Sequence, residues 1–291
     1  MILVLGGPTA TGKTDAAIEV AKRFDVELVS ADAMQVYRGM DIGTAKPSPE
    51  LLEAFPHHGI DIRDPGEDFD AADFAAMVDA LVEGGRQVVV AGGTGFYLRA
   101  LLVGLVPTPE VDPELRARLA ELPDPHARLV EVDPVLAGRL HPNDRVRVLR
   151  GLEVFEQTGR RLSDLHAEHS QEEPRHPAAR LHLEREDLAE RIDGRVLSMM
   201  ESGYLDEVRG LLDAGVDPDC KPMRSLGYRW LAQHLLEGLD VDEAVRLTQR
   251  DTRRLARKQR TMLRSIGGFE VIDGDDLDAL LRAAEACFRS P

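Results

Sequence analysis

Apolar positions in the first hundred residues alternate between short continuous runs and helical stripes. ILVLG (2–6) is unbroken and short, which predicts a buried strand, and it runs straight into a glycine-rich turn. A helix is predicted from Thr14, because Ala17, Val20, Ala21 and Phe24 follow at helical spacing. VELVS (26–30) predicts a second strand. Phe74, Met77, Val78, Leu81 and Val82 then complete an i, i+3, i+4, i+7, i+8 stripe. QVVVAGG (87–93) predicts a third buried strand, ending in GGTGFYLRAL. Strands alternating with helices imply an α/β fold, a parallel sheet flanked by helices.

After Gly104 the pattern changes. PTPEVDPELRARLAELPDPHARLVEVDPVLAGRLHPND is punctuated by proline, and its helical pieces have apolar faces too small to be independent cores. Residues 106–180 are therefore predicted to be a helical insertion between a first core segment, 1–105, and a second, 181–291. The core resumes with the strand-like RLHLE near Arg180. Helices are predicted over about 187–201, 203–214, 224–236 and 241–265, then a strand at FEVID and a helix from Asp275. No internal repeat is evident.

Composition adds bounds. A hydrophobic content of 43% over 291 residues suffices for a packed core. Met1 is followed at once by the strand-like ILVLGG, with no basic leader and no run of apolar residues long enough to span a bilayer, so a cytoplasmic, non-membrane protein is expected. Two distant cysteines, Cys220 and Cys287, exclude a disulfide framework and disfavour a zinc knuckle. The net charge of −16 argues against non-specific polyanion binding. Yet basic residues are concentrated in two strips. One holds Arg246, Arg250, Arg253, Arg254, Arg257, Lys258, Arg260 and Arg264; the other holds Arg139, Arg145, Arg147, Arg150, Arg160 and Arg161. Each strip is either a solvated helix face or a place for a nucleic acid to dock.

The candidate chemistry starts in the first turn. Gly7, Gly12, Lys13 and Thr14 complete G-x-x-x-x-G-K-[ST], in which backbone N–H groups converge on phosphate, a lysine neutralises charge and a hydroxyl binds Mg²⁺. A kinase, an ATPase and an enzyme expelling diphosphate all fit such a loop. An ordinary loop of this kind is followed by an aspartate ending a later apolar strand. Here that strand ends in Ala91, Gly92 and Gly93, which weakens the hydrolysis reading. Asp32, at the carboxyl end of the second strand, is left as the nearest acid, for base chemistry, for support of a metal ion, or simply as a helix cap or turn former. Gln35 offers an amide able to read a base edge or simply to be solvated. On the helix 187–201, Arg195 falls at the edge of the stripe Leu188, Ile192, Val196, Met199 and Met200, with Arg191 four residues earlier; both suit a diphosphate or a snorkelling rim.

GPTATGKT, SADAMQVYRGMDIGTAKP, PHHGIDIRDP, AADF, GGTGFYLRALL, HPNDRVRVLRGLEVFEQTG, GYLDEV and MRSLGYR occur in the order seen in bacterial tRNA dimethylallyltransferases, and the chain resembles that family over nearly its whole length. The resemblance implies a P-loop kinase-like core, a helical insertion that grips the anticodon stem, a monomer, and transfer of dimethylallyl from dimethylallyl diphosphate to N6 of the adenosine 3′ of the anticodon in tRNA, with Mg²⁺. It further implies that Gly7, Pro8, Thr9, Ala10, Thr11, Gly12, Lys13 and Thr14 cradle the diphosphate, with Thr14 on Mg²⁺. Asp32 becomes the general base and Arg195, with Lys13, steadies the leaving group. Asp32, Ala33, Met34, Gln35, Thr94, Arg116, Arg147 and Arg150 correspond to places that touch tRNA. Ala33 and Thr11 stand where serine is usual, and Arg145-Val146 where Pro-Gln is typical, so Arg147 and Arg150 carry the expected side-chain contacts there. The insertion is shortened around Leu122 to Pro125. Phe69, Phe96 and Tyr97 are the aromatics available to replace stacking around an extruded base.

Overall fold

A computed structural model describes residues 1–169 and 174–289. The core begins with strand β1 (Ile2–Gly6), helix α1 (Lys13–Ala21) and β2 (Glu27–Ser30). Short α2 (Pro49–Ala54) and β3 (His57–His58) follow, then α3 (Ala71–Glu83), β4 (Val88–Gly92) and α4 (Gly95–Leu102). After α5 (Pro113–Ala120), α6 (Pro125–Val132), α7 (Pro134–Ala137), α8 (Arg145–Thr158) and α9 (Leu162–His169) the sheet resumes with β5 (Ala178–Glu184). Helices α10 (Leu188–Glu201), α11 (Tyr204–Asp213), α12 (Tyr228–Glu237) and α13 (Val241–Ile266), strand β6 (Glu270–Asp273) and α14 (Leu277–Arg289) complete it.

All six strands are parallel, in the order β3-β2-β4-β1-β5-β6. Leu3 and Leu5 of β1, Val89 of β4, and Leu181 and Leu183 of β5 share one buried cluster with α1 and α14. The alternating Ile2, Val4, Val88 and Val90 are buried too, so both faces are covered, as parallel sheets require. That explains why these strands read as continuous apolar runs. It also places the ends of β1, β2 and β4, and with them the glycine loop, Asp32 and Gly92-Gly93, along one rim of the sheet.

The chain divides into two compact units, 1–102 with 175–291, and 103–174. The second holds α5 to α9 around its own cluster, including Leu115, Leu129, Leu136, Leu149, Leu152 and Leu165. Strand β5 already starts at Ala178, within the 106–180 stretch read from the sequence as insertion, because residues 178–180 pair with β1; residues 170–173 of that stretch lie outside the described residues. Three of the prolines that broke the pattern are helix starts. Asp112-Pro113, Asp124-Pro125 and Asp133-Pro134 each put an aspartate at the N-cap, where its carboxylate accepts backbone N–H groups of the first turn, and a proline where no N–H is needed.

Candidate active site

The loop after β1 is tied at several points. A Cβ on Gly7 would lie 2.7 Å from the Leu183 carbonyl oxygen, so no larger residue fits there. Thr11 is buried and its hydroxyl donates to the Pro8 carbonyl at 2.9 Å. The Thr9 N–H donates to Gln259 Oε1 of α13 at 2.9 Å, and Arg191 Nε of α10 donates to the Ala10 carbonyl at 3.0 Å. Gly12, in the left-handed region with φ 87°, caps α1 without any side-chain hydrogen bond. The space where its Cβ would stand is open, and the first N–H groups of α1, left without a side-chain cap, are the donors that a helix start offers to an anion.

Lys13 Nζ donates to the Pro8 carbonyl, and burial lowers its pKa to about 7 against the raising pull of Asp32, with Arg195 adding repulsion. Asp32 shifts upward: burial dominates over the stabilising N–H groups of Met34, at 2.9 Å, and Gln35, and over the charge on Lys13. Arg195 is lowered mainly by burial and then by Arg191, opposed by Asp15. Lys13 thus feels the charge of both Asp32 and Arg195, and those two residues face one space.

That space is a cavity of about 510 Å³. Thr9, Asp32, Thr94, Arg195, Lys258 and Gln259 supply polar groups, and Ile192, Val196, Met199, Leu226, Leu255 and Met262 supply apolar wall. Ala33 and Met34 line it as well, the Ala33 N–H donating to Thr94 Oγ1 at 3.0 Å. The rim position where an acid was missed has no room for one. A Cβ on Gly92 would overlap the Ala31 carbonyl, and one on Gly93 would overlap the Gln259 amide. The acid whose charge acts on the lysine, Asp32, instead follows the end of β2.

Several expected positions are differently engaged. Gln35 is buried, its oxygen accepting from the Ser30 hydroxyl at 2.7 Å and its nitrogen donating to the Thr44 and Ala45 carbonyls at 3.1 and 3.3 Å. Phe69 and Tyr97 are buried edge to face at 6.1 Å, with Tyr97 stacked on Phe74, so two of the three stacking aromatics are core residues; Phe96 is 56% exposed. In the second unit, Arg116 and Arg150 both pair with Glu153, which is fully buried, and Arg150 also donates to Thr108 Oγ1 and the Pro109 carbonyl. Arg147 pairs only with Asp144 and is 71% exposed along its side chain. On α13 the strip is largely paired: Arg246 with Glu243, Arg253 with Asp193, Arg260 with Glu184, and Arg250 and Arg254 with the buried Asp251. Lys258, a member of the basic strip, lines the cavity with Met262 and Gln259; Gln259 carried no signal in the sequence, nor did Tyr204 and Tyr228 individually, although they sit in GYLDEV and MRSLGYR.

A phosphate cradle, a carboxylate with raised pKa and an apolar wall on one cavity define a P-loop protein built for group transfer. The IPP transferase family model matches residues 35–266, and the chain belongs to that family. It is 48% identical over 272 residues to a tRNA dimethylallyltransferase 2 of Geotalea uraniireducens, covering 89% of this chain and 88% of that one. It is 49% identical over 284 residues to a tRNA dimethylallyltransferase 1 of Syntrophotalea carbinolica, covering 94% and 90%. Among solved structures it is similar to the full-length tRNA isopentenylpyrophosphate transferase of Bacillus halodurans, with 34% identity and a TM-score of 0.71 over 98% of this chain and 94% of that one. A eukaryotic dimethylallyltransferase acting on tRNA gives 26% identity and a TM-score of 0.80 over 95% and 74%. Among the described residues no helix is long and apolar enough to cross a membrane.

Proposed function

We propose that this cavity transfers the dimethylallyl group of dimethylallyl diphosphate to N6 of adenosine 37, the nucleoside 3′ of the anticodon, in tRNA. The observation that carries the reading is the shared cavity: Thr9 of the phosphate loop, Arg195 and Asp32 line the same apolar-walled space, and Lys13 of the loop feels the charge of both Asp32 and Arg195. A kinase needs no such wall beside its loop. Here it suits a five-carbon chain whose diphosphate end lies in the loop.

In this reading backbone N–H groups of the glycine loop and the first turn of α1, with Lys13 and Arg195, hold the diphosphate and stabilise the charge that gathers on it as the C1–O bond breaks. The N6 amine attacks C1, and its proton passes to Asp32. Adenine N6 is a weak nucleophile because its lone pair is delocalised into the ring, so proton removal as the bond forms contributes about 10² to 10⁴ in rate. The upward shift of Asp32 makes it a better proton acceptor than an exposed aspartate. Ala33, Met34 and Thr94 form the base side of the cavity, and Gln35 supports it from behind.

Mg²⁺ fits the loop. Magnesium commonly takes one or two protein ligands and completes its shell with phosphate oxygens and water. Thr14, in the first turn of α1, is the residue to hold it; no cluster of three His, Cys, Asp or Glu able to bind a metal occurs among the described residues. Bound there, the ion would neutralise diphosphate charge. The second unit, residues 103–174, is assigned to the tRNA stem, with Arg147, exposed and paired with Asp144, the side chain placed to exchange that partner for a phosphate.

Asp32→Asn keeps the shape and removes the base. Transfer is expected to fall by about 10²-fold or more while tRNA affinity, measured by filter binding, stays within about threefold. Undiminished transfer in this variant would exclude Asp32 as the base.

A further inference from the structure

Glu207, on α11 within GYLDEV, has no part in the chemistry above, yet four donors converge on its carboxylate. The backbone N–H groups of Asp41 and Ile42 reach Oε2 at 2.9 and 2.6 Å. The N–H of Gly43 reaches Oε1 at 3.1 Å, where the Tyr228 hydroxyl also donates at 2.6 Å. Three successive backbone amides around one anion make a nest, here filled from within the chain. The segment so held is a wall of the cavity: Gly43, Thr44 and Ala45 line it. Its thickness is set closely, since a Cβ on Gly43 would overlap the Tyr204 ring, itself packed edge to face against Tyr228 at 5.0 Å.

The wall in turn holds the base-side turn. The Thr44 and Ala45 carbonyls receive the Gln35 amide, and the N–H groups of Met34 and Gln35 point at the Asp32 carboxylate. We propose that Glu207 is a positioning residue for the nucleoside: through its clamp on residues 41–43 it fixes the wall the adenine meets and, through Gln35, the pose of Asp32. This rests on the assignment of Asp32 as the base. The clamp reaches neither Lys13 nor the loop of residues 7–14, so its loss should act on tRNA use and not on diphosphate binding. Charge and shape both matter. A glutamine would turn an NH₂ donor toward a donor, leaving at least one N–H or hydroxyl unpaired.

The test uses the full chain with Glu207→Gln and, separately, Tyr228→Phe, which removes one donor and keeps the ring. Steady-state transfer to tRNA at saturating dimethylallyl diphosphate, calorimetric binding of inorganic diphosphate and thermal melting are measured for each. For Glu207→Gln, kcat/KM for tRNA is expected to fall about 10- to 100-fold, with kcat falling as well as KM rising, because a sub-ångström misplacement of a reacting group is costly. Diphosphate affinity is expected to stay within about twofold, and Tyr228→Phe should show the same pattern at about 3- to 10-fold. The proposal is overturned if tRNA kinetics are unchanged, or if diphosphate binding falls in proportion to them, which marks a general loss of structure. Should Glu207→Gln fail to fold, the same two outcomes in Tyr228→Phe decide. Asp32→Asn measured alongside keeps the two ideas apart: active Asp32→Asn removes the base assignment, while the Glu207→Gln comparison with wild type still reports on the clamp.

Discussion

Lys13 stands in the unliganded loop with its pKa lowered to about 7, chiefly because it is buried beside Arg195. A diphosphate placed in the loop favours the ammonium, so binding raises this pKa and takes up a proton wherever the free lysine is neutral. Below pH 7 the lysine is already charged and little is taken up; the uptake develops as pH rises above 7. At pH 8, calorimetry of diphosphate binding in buffers of different ionisation enthalpy should show the wild type taking up about one proton more than Lys13→Arg, whose guanidinium stays charged. Equal uptake would mean that Lys13 is not desolvated in the free loop. The loop and Asp32 were legible in the sequence because each lies within a few residues of the strand that presents it. Gln259 was not, since its partner Thr9 is 250 positions away; nor was Glu207, whose partners in the 41–43 segment are 164 to 166 positions away. The absent acid at residues 91–93 was read from the sequence, but its cause, the lack of room beside Ala31 and Gln259, became visible only when the rim was assembled.

Strands with both faces covered and helices with one apolar stripe were readable because their periodicity records burial. Helix α4 was not: FYLRALL is apolar on most sides, and Tyr97, Leu98, Ala100, Leu101 and Leu102 are all buried, so no periodic contrast remained. In the second unit the Asp-Pro pairs were taken as breaks, although each is a cap and first residue. Charge was legible as strips but not as pairing. Arg116 and Arg150 flank the buried Glu153, whereas Arg147 reaches solvent. Arg116→Ala should therefore lower the melting temperature, costing about 1–3 kcal/mol, because the buried Glu153 keeps Arg150 but loses its bidentate arginine. Arg147→Ala should leave melting unchanged and reduce the salt slope of tRNA binding by about one. The opposite assignment, a stable Arg116→Ala with a shallower slope, would make Arg116 the phosphate contact.

For the molecule as a whole, an acidic chain that handles an anionic diphosphate and a polyanionic RNA must place its cations locally. Much of the α13 strip is engaged by internal carboxylates: Arg250 and Arg254, with Arg229 of α12, surround Asp251, whose pKa falls to about 2 because hydrogen bonds from Arg250, Arg229 and Trp230 outweigh burial. Lys258 and Arg195 instead face the cavity. The basic strips alone therefore did not mark the site; the phosphate loop, Asp32 and the apolar wall together do. In the proposed function the loop holds a departing diphosphate, so that carbon and not phosphorus is transferred. The most direct measurement incubates the protein, Mg²⁺ and unmodified tRNA with dimethylallyl diphosphate labelled in its carbon chain, then maps the label. The label should be found on N6 of adenosine 37 with one diphosphate released per group transferred; no label in the tRNA, with phosphate released from ATP in its place, would contradict this account.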